Sequence, residues 1–147
     1  MLGLLNYYEG NRVEAREWWE KTLQVDPNAV TAANNLAWLY AETGGNLDAA
    51  LQLGRRALAK YPDNPEFNDT VGWIYYKKDL SREAIWYLEQ SVAKDKSNAV
   101  FLFHLGMAYA QKGEDATARR HLERALVIDK NFPGADLAKK TIAGLVY

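Results

Sequence analysis

The chain has no cysteine and only two histidines among its 147 residues. Disulfides, thiolate metal sites and cysteine nucleophiles are excluded together. The compartment stays open, because a cysteine-free chain is at home in reducing and oxidising surroundings alike. An excess of positive charge is missing too. The formal net charge is −1 and the isoelectric point is near 6.1, so no basic field exists to hold phosphate backbones. Nucleic acid is therefore not an expected partner. Long hydrophobic runs are also absent, since nothing approaches the roughly 18 apolar residues of a membrane-spanning helix. Met1-Leu-Gly-Leu-Leu is too short for a signal-peptide core before Asn6 interrupts it. No membrane insertion is expected.

What is present is the composition of a soluble folded protein. Hydrophobic residues make up 48% and charged residues 25%, which sets aside intrinsic disorder. The segment Asn68–Tyr76 organises the rest. Its Val71-Gly72-x-x-Tyr75 recurs as Leu105-Gly106-x-x-Tyr109 and, earlier, as Leu36-Ala37-x-x-Tyr40. Gly72 and Gly106 are 34 positions apart, as are Tyr75 and Tyr109. A fixed period of this size means one supersecondary unit stacked on copies of itself. Ala50, Ala84 and Ala118 keep the same period, but Tyr40 to Tyr75 is 35. The extra residue falls between Tyr40 and Ala50, where the doubled Gly44-Gly45 is the obvious place.

Apolar spacing is helical throughout, and no strand is expected. A turn at Gly10–Ala15 enters a helix that Asp26-Pro27-Asn28 ends, with Asn28 as a cap for the next helix. Helices are then expected at about Val30–Glu42 and Asp48–Lys60, about Pro65–Lys77 and Ser81–Asp95, and about Ala99–Lys112 and Asp115–Asp129. A last one is expected at about Pro133–Leu145. Asn64 caps the helix opened by Pro65, and Ser81 reads as a further cap. Small residues explain the pairing. Two helices approach to about 8–10 Å only where side chains at the crossing permit it. Ala37, Gly72 and Gly106 lie on first helices, and Ala15, Ala50, Ala84 and Ala118 on second ones.

This pattern resembles the tetratricopeptide repeat family over nearly the whole chain. The last full unit supplies Leu105, Gly106, Tyr109, Gly113, Ala118, Leu122 and Ala125. The unit before it supplies Val71, Gly72, Tyr75, Ala84, Leu88 and Ser91. The one before that supplies Leu36, Ala37, Tyr40, turn glycine Gly45, Ala50, Ala57 and Pro62. The family's early tryptophan is replaced by Ala33, Asn68 and Leu102, and its closing proline by Lys96 and Lys130. The resemblance implies an all-α, right-handed solenoid of antiparallel helix pairs. Its segments are a truncated repeat at 1–29, repeats at 30–64, 65–98 and 99–132, and a capping helix at 133–147. In that last helix Leu137, Thr141, Ile142 and Leu145 are expected to seal the end. Leu2 and Gly3 fall at the Leu-Gly positions of the first unit, so the chain reads as the carboxy-terminal part of a longer repeat protein. A looser similarity, through Gly72–Lys78 and Asn131–Ala135, is to bacterial repeat proteins tied to envelope or exopolysaccharide export.

The same resemblance implies a concave groove lined by first helices, where a protein or peptide partner binds. Its positions in this register are Tyr8; Thr31, Asn34, Asn35, Trp38 and Glu42; Glu66, Asp69, Thr70, Trp73 and Tyr76; and Phe103, His104 and Met107. Trp38, Trp73 and Met107 share one register position and are expected either to form an exposed stripe or to pack as core. Asn35 matches the asparagine of the family's carboxylate clamp, but Glu66 and Thr70 stand where its basic residues belong, which disfavours a carboxy-terminal tail as ligand. No catalytic residue, cofactor or metal site is expected. His104 and His121 read as ordinary surface or groove histidines, and no base lies near Ser81 or Ser97 to activate either. Arg119, Arg120 and Arg124 read as a solvated outer face. Trp18 and Trp86 are expected to point outward and to mark contacts with another chain. The rival to a peptide-binding role is a self-associating scaffold, with homo-oligomers formed through the open amino-terminal end or the convex face.

Overall fold

Asparagine sets the start of helix after helix. Asn11, Asn46, Asn64 and Asn98 each accept a hydrogen bond from the backbone N–H three residues on, at 3.3, 3.0, 3.1 and 3.0 Å. Each satisfies one of the donors that a helix start leaves without an intrahelical partner. The computed structural model describes residues 11–146 and contains eight helices and no strand among them. They are α1 Arg12–Val25, α2 Val30–Glu42, α3 Leu47–Lys60, α4 Pro65–Lys77, α5 Ser81–Lys94, α6 Ala99–Lys112, α7 Asp115–Ile128 and α8 Ala135–Gly144. Their bounds follow the apolar spacing closely. Two caps differ from expectation. Ser81 is the first residue of α5 behind Leu80, which makes no side-chain cap. Asn28 likewise donates its N–H to Asp26 Oδ1 at 3.0 Å and leaves the N-cap of α2 to Ala29.

Two compact units divide the chain, Met1–Pro62 and Asp63–Tyr147. In the first, α2 packs on both α1 and α3. Its core gathers Ala15, Trp19, Ala32, Leu36 and Leu39, flanked by Leu23, Tyr40 and Leu53. In the second, α4 pairs with α5 and α6 with α7, α5 also packs on α6, and α8 closes on α7.

The two pairs of the second unit are built alike at atomic detail. A methyl group on Gly72 would meet Leu88 Cγ at 2.6 Å and the Ala84 carbonyl oxygen at 3.2 Å. One on Gly106 would meet Leu122 Cγ at 2.7 Å and the Ala118 carbonyl oxygen at 3.2 Å. Glycine fits there because the buried leucine of the paired helix, with a carbonyl oxygen close behind, leaves no room for a Cβ.

Turns between first and second helices use a left-handed residue four positions after each register tyrosine. These are Gly44 (φ 68°), Asp79 (φ 61°) and Gly113 (φ 90°). Gly44 therefore occupies the turn position expected of Gly45, and Gly45 is the inserted residue. The end helix also differs from expectation. It starts at Ala135, behind Gly134, which takes a left-handed φ of 108° where an added Cβ would meet the Phe103 ring at 2.7 Å. Starting there turns Leu137 outward, 46% exposed, and buries Ala135, Ala138 and Phe132 instead.

Candidate interaction face

The first helices carry the register positions expected to face a partner. On α2, Ala32, Ala33, Asn34, Leu36, Ala37, Leu39 and Ala41 are buried. Thr31, Asn35, Trp38 and Glu42 keep access to solvent. Their spacing, i, i+4, i+7 and i+11, puts them on one helical stripe. The stripe is polar at both ends with an indole in its middle. At its amino-terminal end it opens into a pocket of about 290 Å³ between α1 and α2, walled by Trp18, Trp19, Thr22, Val30, Thr31 and Asn35. Asn34, expected in the same lining, is turned inward. It is 8% exposed and its Oδ1 has no hydrogen-bond partner.

In the second unit the corresponding positions form a packed floor. Asp69, Thr70 and Trp73 on α4, with Phe103, His104 and Met107 on α6, are all buried. The indole of Trp73 lies between two rings, with centroids 4.5 Å from Tyr76 and 4.0 Å from His104, both stacked. Phe103 adds a tilted contact at 5.9 Å, and the Lys77 ammonium sits 5.3 Å from the indole centroid. Trp73 and Met107 are thus packing residues and not an exposed stripe, because α6 lies alongside α4 and covers its inner face. Glu66 is exposed and Tyr76 half-buried, so these two remain accessible there. Tyr8 lies outside the described residues.

His104, expected at a surface or in the groove, is buried. Its Nδ1 is 2.7 Å from Asp69 Oδ1, with both side chains nearly closed to solvent. This contact ties α4 to α6. A hydrogen bond to a carboxylate in so dry a place also fixes which way the imidazole faces. The signal existed in the sequence: Asp69 and His104 are 35 positions apart, one more than the period, which places them side by side on successive first helices.

A second link repeats in both units. Tyr40 Oη donates to Glu20 Oε1 at 2.8 Å, and Tyr109 Oη donates to Glu89 Oε1 at 2.6 Å. Both pairs are 20 positions apart, joining a second helix to the first helix of the next repeat. Burial and the neighbouring glutamate raise each phenol from 10.0 to about 12. On the outer side, Trp18 and Trp86 are 48% and 61% exposed, so both point outward as expected. Arg120 and Arg124 are exposed. Arg119 is half-buried and donates to the Ile142 carbonyl at 3.4 Å.

Comparison with known proteins matches this geometry. Profiles of the tetratricopeptide repeat family match residues 1–65 and 99–132. The chain is built of tetratricopeptide repeats. The crystal structure of TTC0263, a thermophilic tetratricopeptide repeat protein from Thermus thermophilus, superposes with a TM-score of 0.82 at 21% identity, covering 97% of this chain and 76% of that one. The crystal structure of MamA superposes with a TM-score of 0.73 at 22% identity, covering 97% and 81%. In sequence, the chain is 28% identical over 149 aligned residues to the type IV pilus assembly protein PilF of Pseudomonas aeruginosa, which takes in 99% of this chain and 57% of that protein. The chain thus spans about half the length of the curated relatives it matches, at 57% and 44%. No helix among the described residues is long and apolar enough to cross a membrane.

Proposed function

We propose that this protein is a non-catalytic protein-interaction module whose first-helix face holds an extended peptide or a partner helix. One observation carries the reading. On α2, where every other position but Tyr40 from Ala32 to Ala41 is buried, the accessible residues are Thr31, Asn35, Trp38 and Glu42, in a single line beside an open pocket. An indole flanked by amide, hydroxyl and carboxylate groups suits an extended peptide. The ring anchors an apolar side chain while the polar groups meet backbone N–H and C=O. In the second unit Glu66 and Tyr76 form an accessible set of their own above a floor held by Trp73 and the Asp69–His104 contact. A rigid floor lowers the ordering cost of binding. The relative named for type IV pilus assembly supports placing the module within a larger bacterial protein that works in a multiprotein assembly.

The test is selection of binding peptides from a random library, followed by Asn35→Ala and Trp38→Ala. Capture should fall more than tenfold in both variants with melting curves nearly unchanged. Capture that survives both substitutions would remove α2 from the binding face.

A second reading, a self-associating scaffold, is favoured by the outer aromatic pair on α5. Trp86, 61% exposed, meets Tyr87 edge to face with ring centroids 4.9 Å apart. Sedimentation across a hundredfold range of concentration decides it. A mass that rises and then returns to monomer in Trp86→Ala supports the scaffold, whereas constant monomer ends it.

A further inference from the structure

The Tyr–Glu link recurs in both units, but its surroundings do not. At the first unit's link, a surface pocket of about 340 Å³ opens between the start of α1 and the end of α2. It is lined by Leu39 and Tyr40, by Thr43 and Asn46, and by Arg12 and Arg16. Leu39 is 2% exposed, so the floor is apolar and fixed, while Val13 beside the arginines is 59% exposed and gives an apolar rim. Most polar groups on the walls are engaged within the fold. Tyr40 Oη donates to Glu20, Thr43 Oγ1 to the Leu39 carbonyl at 2.9 Å, and Asn46 Oδ1 accepts from Ala49 N–H. Arg16 differs. Its ion pair with Glu20 is long, 3.8 Å through Nε, at the same oxygen that accepts from Tyr40.

The second unit changes this chemistry at the equivalent place, where Arg82 stands for Val13. Ser81 stands for Arg12, Ile85 for Arg16, Ala108 for Leu39, and Lys112, paired with Glu114 at 3.1 Å, for Thr43. The repeat therefore needs neither arginine to form its Tyr–Glu link.

We propose that this pocket is a second contact site, apart from the first-helix face, which receives a glutamate side chain from an acidic segment of a protein partner. The charge pattern selects that occupant. The aliphatic stem of glutamate lies against Leu39 and Tyr40, and its carboxylate meets the Arg16 guanidinium fork. An aspartate is one methylene shorter and leaves the floor less covered. A lysine-bearing segment is repelled.

The experiment is titration of the isotope-labelled chain with a hexaglutamate peptide, read by amide and arginine Nε–H chemical shifts. Saturable shifts should centre on Arg16, Thr43 and Gly45, hexaaspartate should bind at least threefold more weakly, and hexalysine should give none. Arg16→Gln, a change at a half-exposed side chain, should keep the helical spectrum and weaken hexaglutamate at least fivefold. Three results would overturn the site: shifts spread equally over Arg120, Arg124 and Lys139, shifts centred on Asn35 and Trp38, or unchanged affinity in Arg16→Gln. Because the peptide face is read separately at Asn35 and Trp38, failure here leaves that reading standing.

Discussion

Trp38 and Trp73 hold the same position in successive repeats and live in different surroundings. Trp38 keeps access to solvent on the α2 stripe. Trp73 is 4% exposed, clasped between Tyr76 and His104. The difference teaches that register decides which face a residue shares, while the neighbouring helix decides whether that face is open. In the second unit α6 supplies His104 and Phe103, and the indole becomes core. Equivalent alanine substitutions therefore separate most widely. Trp73→Ala should cost about 3–5 kcal/mol, the range for emptying an aromatic site in a core. Trp38→Ala should cost well under half of that, and urea unfolding of the two variants reads the gap. Equal losses would mean that both indoles pack alike.

The next largest effect sharpens the same comparison through the small residues. Alanine normally stabilises a helix relative to glycine by about 1 kcal/mol. At Gly72 and Gly106 the added methyl would lie 2.6–2.7 Å from a buried leucine and 3.2 Å from a carbonyl oxygen of the paired helix. Overpacking of this kind costs about 1–3 kcal/mol, enough to reverse the sign. Gly106→Ala should therefore lower stability in denaturant. The first unit has Ala37 at this position and, on the facing helix, Gly54 where the other pairs have Leu88 and Leu122. Leu122→Gly should accordingly be the change that lets Gly106→Ala lose its penalty in a double-mutant cycle.

Much of this was legible from spacing alone. The helices, the 34-residue register and the small residues at the crossings all follow from periodicity, because each repeat must bury the same face. The groove lining was legible as a set of positions, but not as a surface. Asn34 is turned inward, and in the second unit Asp69, Thr70, Trp73, Phe103, His104 and Met107 are buried, since helix periodicity cannot report how closely neighbouring helices approach. The Asp69–His104 contact was hidden for a simpler reason. Two polar residues far apart in sequence look solvated until the period, plus one, is used to pair them. Leu137 failed through phase: a helix rotates about 100° per residue, so a start at Ala135 behind Gly134 moves Ala138, and not Leu137, into the core.

The two Tyr–Glu links allow a finer comparison. Tyr40→Phe and Tyr109→Phe should each cost about 1 kcal/mol at neutral pH, the net worth of one hydrogen bond to a carboxylate on a partly open surface. Their titration has a definite sign. Both phenols are raised from 10.0 to about 12 in the folded chain, so the unfolded chain loses these protons first. The stability they confer is complete below pH 10 and is lost as pH rises towards about 12. Each phenylalanine variant should therefore approach wild type in stability across that alkaline window. A constant gap would show that the hydroxyls contribute nothing through ionisation.

His121 supplies the smallest effect, and it has the opposite sign. It stacks on the Tyr109 ring with centroids 5.6 Å apart. Burial lowers its pKa from 6.5, reinforced by Arg120 and Arg124 and opposed by Glu89. The folded chain thus resists protonation of this ring. As pH falls below 6.5 the unfolded chain takes up the proton first, and stability declines towards the lower folded value. Glutamine keeps a flat polar group without the charge, so His121→Gln should abolish the part of the decline between pH 6.5 and 5 that belongs to this ring. The Tyr40–Glu20 link has no histidine beside it, since the equivalent of His121 in the first unit is Leu53 on α3. Melting measured at pH 7 and pH 5 on both forms makes the comparison. An identical acid shift in wild type and His121→Gln would place the acid sensitivity at the carboxylates instead.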